Sequence, residues 1–194
     1  RGGVGRGYRG VGCGAVVGFR ERAAGGPAWF WEEMVRGLVV EWTCPPSQTI
    51  DLTRGKAWAQ WFLDAGFNYT SAALDRWVKE GRGDAVALVW EGEDRREQRS
   101  LTYAEFDRDV GRLAQGLRDL GIVQRDVVAI YMPNLPETFI AFFAALKLGA
   151  IVMPLFSGFG PSPIQSRLNH GEAKAVITAG VTWRRGIAAP LKSV

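Results

Sequence analysis

Cysteine and histidine are scarce: the 194 residues include two of the first and one of the second. Cys13 and Cys44 stand far apart, and His170 has neither a cysteine nor a second histidine near it. That argues against a structural zinc site, a disulfide framework and a cysteine–histidine nucleophile pair. A reducing cytoplasm is the expected setting. Long apolar runs are also missing. The best candidate, "TFIAFFAALKLGAIVMPLF", is broken by Lys147, Gly149 and Pro154, so it reads as helix, turn and strand rather than as a membrane span. The N-terminus is glycine and arginine, without the apolar run of a signal peptide.

Charge of one sign is missing from most of the chain. The formal net charge is +4, and residues 1–22 account for all of it through Arg1, Arg6, Arg9, Arg20 and Arg22 against Glu21. The remainder is neutral, so a nucleic-acid surface on the folded part has no support from charge. The leader "RGGVGRGYRGVGCGAVVG" is low in complexity, with glycine at almost every second position. Residues 1–26 are expected to be a flexible Gly/Arg-rich leader. An RNA-binding tail is the sharper reading of that composition, and a leader with no nucleic-acid partner is the preferred one. The first residue is Arg, and "APLKSV" ends the sequence without a terminal signal, which suggests a piece of a longer protein.

From Pro27 the pattern is that of a folded region, expected to run to residue 194. "PAWFWEEMVRGLVVEW" opens like a helix, with proline near its first turn. The aromatic residues Trp58, Trp61, Phe62, Phe67 and Trp77 are expected to pack a helical layer onto a core. "AVALVWEGE" and "RSLTY" bracket the charged "DRREQ" and predict a hairpin. In "TYAEFDRDVGRLAQGLRDLG", Thr102 and Glu105 form a capping-box pair, apolar residues recur every three or four positions, and Gly121 stops the helix. Beyond it, "DVVAIYM", "AIVMPLF" and "AKAVITA" predict strands, separated by helices at "LPETFIAFFAALKLG" and "SPIQSRLNHG". Apolar strands alternating with helices imply right-handed crossovers and a parallel sheet covered on both faces, an α/β fold.

In such sheets ligands bind beyond the carboxyl ends of the strands. The expected exits are "YMPN" at 131–134, "FSGFG" at 156–160 and "TAGVTWRRG" at 178–186. The first has no glycine, which excludes a dinucleotide fingerprint there, and G-x-x-x-x-G-K-[ST] occurs nowhere. Gly158 and Gly160 allow backbone N–H groups close approach to a ligand, although glycines after a strand often serve only a turn. Arg184 and Arg185, beside Gly186, have guanidinium forks suited to phosphate. A solvated basic turn is the alternative. His170 suits a helix end, and Ser157 lacks the G-x-S-x-G elbow. No catalytic centre is visible.

Taken in order, "FWEEMVRGLVVEW", "WFLDAGFNYTSAALDRW", "ALVWEGED", "LTYAEFDRDVGRLAQGLRDLGI", "DVVAIYMPNLPETFIAFFAALKLGAIVMPLFSGF" and "RLNHGEAKAVITAG" closely resemble the N-terminal part of acetyl-CoA synthetase-like enzymes. These belong to the AMP-forming acyl-CoA synthetase and adenylate-forming superfamily. The resemblance runs from about residue 27 to the end. It implies the first part of a large N-terminal domain, with a partial doubly wound parallel sheet. It also implies a ligase that joins a short-chain carboxylate to CoA through an acyl-adenylate, using ATP and Mg²⁺.

The family's Ser/Thr/Gly-rich loop with its lysine, its aromatic-Gly-x-Thr-Glu segment, its ribose-binding aspartate and its catalytic lysine have no match between Arg1 and Val194. The resemblance therefore implies no catalytic residue here and an inactive fragment whose main partner is the remainder of the same chain. What it does place in this sequence is a CoA-facing surface. Phe156 and Gly158 would line the adenine side, and Arg184, Arg185 and Gly186, anchored on "PLK" at 190–192, would form the turn that meets the phosphates. Ile187 departs from relatives that have another basic residue there. A stand-alone CoA- or nucleotide-binding module without catalysis is the alternative.

Overall fold

The structure, a computed structural model, describes residues 13–93, 97–184 and 187–191. These divide into two compact units, one ending at Phe67 and one beginning at Asn68.

The first unit opens with helices α1 (Cys13–Gly25) and α2 (Pro27–Leu38). Residues 13–25, part of the stretch expected to be a flexible leader, are thus helical. The segment Arg20–Ala24 is made of good helix formers, a local signal that the glycine-rich composition of the whole leader obscures. Phe19 packs edge-on against Trp29 at 5.6 Å, and Arg22 lies 3.9 Å from the centre of that indole. Residues 1–12 of the leader lie outside the described residues.

Pro27 begins α2, where its missing N–H costs nothing, and Val39 ends it in the left-handed conformation. A small antiparallel hairpin of β1 (Gln48–Asp51) and β2 (Gln60–Leu63) follows, pairing Ile50 with Trp61. The helical layer expected from the aromatics is therefore not formed at Trp61 and Phe62, which sit on a strand. Trp58 closes a single 3₁₀ turn at Lys56–Trp58 and remains 66% exposed.

The second unit contains the core. A π-helical turn at Ser71–Asp75 leads into α3 (Arg76–Lys79), and the predicted hairpin forms from β3 (Val86–Glu91) and β4 (Gln98–Thr102). Helix α4 (Tyr103–Asp119) has the complete capping box: Thr102 Oγ1 accepts from the Glu105 N–H, and the Glu105 carboxylate accepts from the Thr102 N–H. The same contacts hold the Glu105 carboxyl below its ordinary pKa, the Thr102 N–H contributing most. Gly121, at φ +84°, ends the helix in a Schellman arrangement, with Ile122 N–H donating to the Leu117 carbonyl.

Then come β5 (Val127–Tyr131), α5 (Pro136–Lys147), β6 (Ile151–Pro154), α6 (Pro161–His170) and β7 (Ala173–Thr178). The three strands form a parallel sheet in the order β6-β5-β7. Alternation along the strands sends Val128, Val152, Ala175 and Ile177 to a face packed with α4 and α5 residues such as Val110, Leu117 and Ala144. It sends Ala129, Tyr131 and Met153 to the opposite face, where Ile164 and Leu168 of α6 cover them. The chain leaves β5 for one neighbouring position and leaves β6 for the other, so right-handed crossovers put α5 and α6 on opposite faces. This is a partial doubly wound sheet, as the sequence predicts.

A final antiparallel hairpin, β8 (Val181–Arg184) and β9 (Ile187–Pro190), ends the described chain. Leu191 packs into the α6-side cluster, and its N–H donates to the Gly180 carbonyl. Among the described residues, no helix is long and apolar enough to cross a membrane.

Candidate functional site

Two neighbouring strands whose following helices go to opposite faces leave a crevice at their carboxyl ends. Here those strands are β5 and β6, and the two loops that leave them are built differently.

The loop after β5 is pinned from several sides. Trp90 Nε1 donates to the Asn134 carbonyl at 2.7 Å, and Thr138 Oγ1 donates to the Pro133 carbonyl at 2.6 Å. Arg99 meets Glu137 at 2.6 Å; burial pushes the Glu137 carboxyl pKa up, but the guanidinium and the helix N-terminus bring it below the ordinary value. These contacts join the β3–β4 hairpin to the start of α5. Nothing in this loop presents a free reactive group.

The loop after β6 is held from beneath and open above. Leu155 is buried, and its N–H continues the ladder by donating to the Ile130 carbonyl at 2.9 Å. Next the chain makes a β-turn closed by Phe159 N–H donating to the Phe156 carbonyl at 2.9 Å, with Ser157 and Gly158 as its central residues. Phe159 is half-buried, with Arg167 of α6 4.4 Å from its ring centre. Phe156 stands edge-on to Phe159 at 5.6 Å and is 63% exposed. Under the turn, the hydroxyl of Tyr131, a residue 4% exposed, donates to the Phe159 carbonyl at 2.9 Å and lies 3.4 Å from that of Ser157.

The exposed Phe156 ring thus stands beside an exposed Gly158, and an exposed aromatic face suits a flat heterocycle. Phe156 and Gly158, which sequence reasoning singled out, are brought together here. The glycines are not required by backbone handedness: neither Gly158 nor Gly160 is among the described glycines of positive φ, and a Cβ at Gly160 would meet nothing.

Arg184 is the last residue of β8, paired with Ile187; Arg185, Gly186 and Lys192 lie outside the described residues. The segment "TAGVTWRRG" is therefore not a simple exit from β7. Only two residues separate β7 from β8, and Trp183 and Arg184 belong to a new strand. The sequence reading took β7 to run straight into a ligand loop and missed that second pairing. It also missed Tyr131, whose only signal was a hydroxyl on an otherwise apolar strand, "VVAIY".

No group of three His, Cys, Asp or Glu side chains among the described residues is placed to hold a metal ion. His170 ends α6, as its position before Gly171 predicted. The first unit has an open groove of about 420 Å³ lined by Val35, Val39, Trp42, Phe62, Glu32 and others. None of the predicted site residues lines it.

Comparison with known proteins gives two successive family matches. Residues 18–73 match the family model described as acetyl-coenzyme A synthetase N-terminus, and residues 74–193 match that of AMP-binding enzyme. An acetyl-coenzyme A synthetase of Mycolicibacterium smegmatis is 41% identical over 163 residues, covering 84% of this chain and 17% of its own length. One from Cronobacter sakazakii is 40% identical over 169 residues, covering 86% of this chain and 25% of its own. The chain thus spans a quarter or less of the length of these relatives. An acetoacetyl-CoA synthetase structure from Streptomyces lividans superposes with a TM-score of 0.77 at 24% identity, covering 88% of this chain and 26% of that one, a likeness of fold.

Proposed function

The chain belongs to the AMP-binding enzyme family, and on that footing we propose that it is the N-terminal portion of an AMP-forming, acetate–CoA ligase-like enzyme. The observation that supports this best is the tiling of two family matches in one chain, 18–73 and 74–193. In the proposed reaction a short-chain carboxylate attacks the α-phosphate of ATP, releasing pyrophosphate. The CoA thiol then attacks the acyl carbon of the adenylate and AMP departs. Mg²⁺, when bound, would shield the polyphosphate charge, and residues beyond those described here would hold it.

This portion contributes no group to either chemical step and is inactive alone, in a cytoplasmic protein whose partners are its small-molecule substrates and the remainder of its own chain. Its part is to receive CoA. Phe156 offers its exposed ring to the adenine beside Gly158. Arg184, with Arg185 and Gly186 next to it in sequence, supplies the positive charge that meets the phosphates.

The test is to express the whole open reading frame and assay acetate, ATP and CoA for AMP and pyrophosphate, beside the 194-residue chain alone. Activity in the first and none in the second is expected. A reading frame that encodes no Ser/Thr/Gly-rich loop with a lysine after Val194 would defeat the proposal. The self-contained core of the second unit favours a second reading, a CoA-binding module without catalysis. A stop codon directly after Val194 in an expressed gene would select it.

A further inference from the structure

We propose that Tyr131 is a positioning residue for CoA: its hydroxyl sets the height and tilt of the Phe156–Phe159 turn and so aims the Phe156 ring at the ligand. The inference rests on the reading of that turn as CoA-facing and goes beyond it, because Tyr131 itself touches no ligand.

Tyr131 closes β5, the central strand, and is buried in the α6-side cluster with Ala129, Leu155 and Ile164. A buried hydroxyl needs a partner, and a buried carbonyl left without a donor costs more than the bond itself contributes. The partners Tyr131 finds are neither on its own strand nor on a neighbouring strand. They are the carbonyls of Phe159 and, at the limit of bonding distance, Ser157. Together they flank Gly158 in the turn.

A hydrogen bond from the Phe159 N–H to the Phe156 carbonyl closes the turn, and such bonds in exposed loops open readily. Above Tyr131 the Phe159 ring contacts Phe156 and lies under the Arg167 guanidinium. The tyrosine therefore links the strand, whose position the sheet determines, to the ring, whose position the ligand senses. Its place at the topological switch between β5 and β6 makes this linkage direct: the two loops that frame the crevice are joined through one side chain.

Tyr131→Phe, which keeps the ring and removes only the hydroxyl, is the decisive variant, with Phe156→Ala as the ligand-contact control. Both are made in the 194-residue chain and examined by amide hydrogen exchange and by calorimetric titration with CoA. A thermal melt checks that each remains folded.

The expected result for Tyr131→Phe is faster exchange at Phe159 with the β5 amides unchanged, and CoA binding weakened about three- to tenfold, the equivalent of one hydrogen bond. Phe156→Ala should weaken CoA binding while leaving exchange of the Leu155 amide unchanged. Unaltered exchange at Phe159 in Tyr131→Phe overturns the inference. So does faster exchange with unaltered CoA affinity, provided Phe156→Ala does weaken binding. If Phe156→Ala has no effect, or the parent chain binds no CoA, the CoA reading itself fails and takes the inference with it. The Phe156→Ala arm tells the two failures apart.

Discussion

The two units of this chain contain similar chemistry and use it in opposite ways. Residues 13–67 are rich in aromatics, with Phe19, Trp29, Phe30, Trp31, Trp42, Trp58, Trp61, Phe62 and Phe67, yet none of the residues whose burial is described there is fully buried. Most of their ring contacts are edge-on, as where Trp31 meets Trp61 at 5.9 Å, and Trp31, Trp58, Trp61 and Phe67 leave much of their surface to water. In the second unit the fully buried residues are mostly small or β-branched: Val110, Val128, Ala129, Ala144 and Ala145 are each at 0% exposure. Close-packed layers of such residues let α4 and α5 approach the sheet, whereas rings at a surface supply area without enclosure. Aromatic content alone does not make a core; the stability of this chain should reside after Asn68.

The sharpest way to break that contrast is to place a charge in each unit. Val128→Asp buries a carboxylate with no partner, costing on the order of 5 kcal/mol or more, comparable with the whole stability of a domain. Circular dichroism should show its cooperative melt abolished. A charge at Trp58 should leave the melt in place. Next in size, Thr102→Ala removes the capping box and should lower stability by about 1 kcal/mol in a urea titration.

A smaller effect is expected from pH. Lys147, at the end of α5, donates to Asp107 at 2.9 Å and Asp75 at 3.0 Å, joining α5 to α4 and to the π-helical turn. Burial works against its charge, but the hydrogen bonds and charges of the two aspartates prevail and raise its pKa above the ordinary lysine value. A raised pKa means stabilisation that is complete below the unfolded-state value of about 10.4 and lost as pH rises through the folded-state value. Melts followed into that alkaline range should fall more steeply for the parent than for Lys147→Met. The smallest effect belongs to the first unit: Trp58→Ala, at an exposed ring, should change stability by no more than about 0.5 kcal/mol. A loss of several kcal/mol there would erase the distinction between the units.

What the sequence made legible follows the same division. Signals between residues close along the chain were readable: Thr102 and Glu105 three apart, Gly121 after the last helical turn, and Pro136 at the start of α5. The unbroken "VVAIY" also marked a strand buried on both sides. Pairings set by the fold were not. Ile50 opposite Trp61 turns supposed helical aromatics into strand residues, and β8 finds β9 where a ligand loop was expected. At the site, Gly158 was visible because it follows a strand closely, and Phe156 through the family resemblance. Tyr131 was not, since its bond to Phe159 exists only when β6 lies beside β5 and the turn folds back across the strand end.

The proposal that CoA meets the Phe156–Phe159 turn can be checked by titrating CoA into the isotopically labelled chain and following backbone amide resonances. Shifts confined to residues 156–160 and 184–186 are expected, with residues 13–67 unmoved. No shift at 156–160, or shifts centred on the groove at Val35, Trp42 and Phe62, would contradict it.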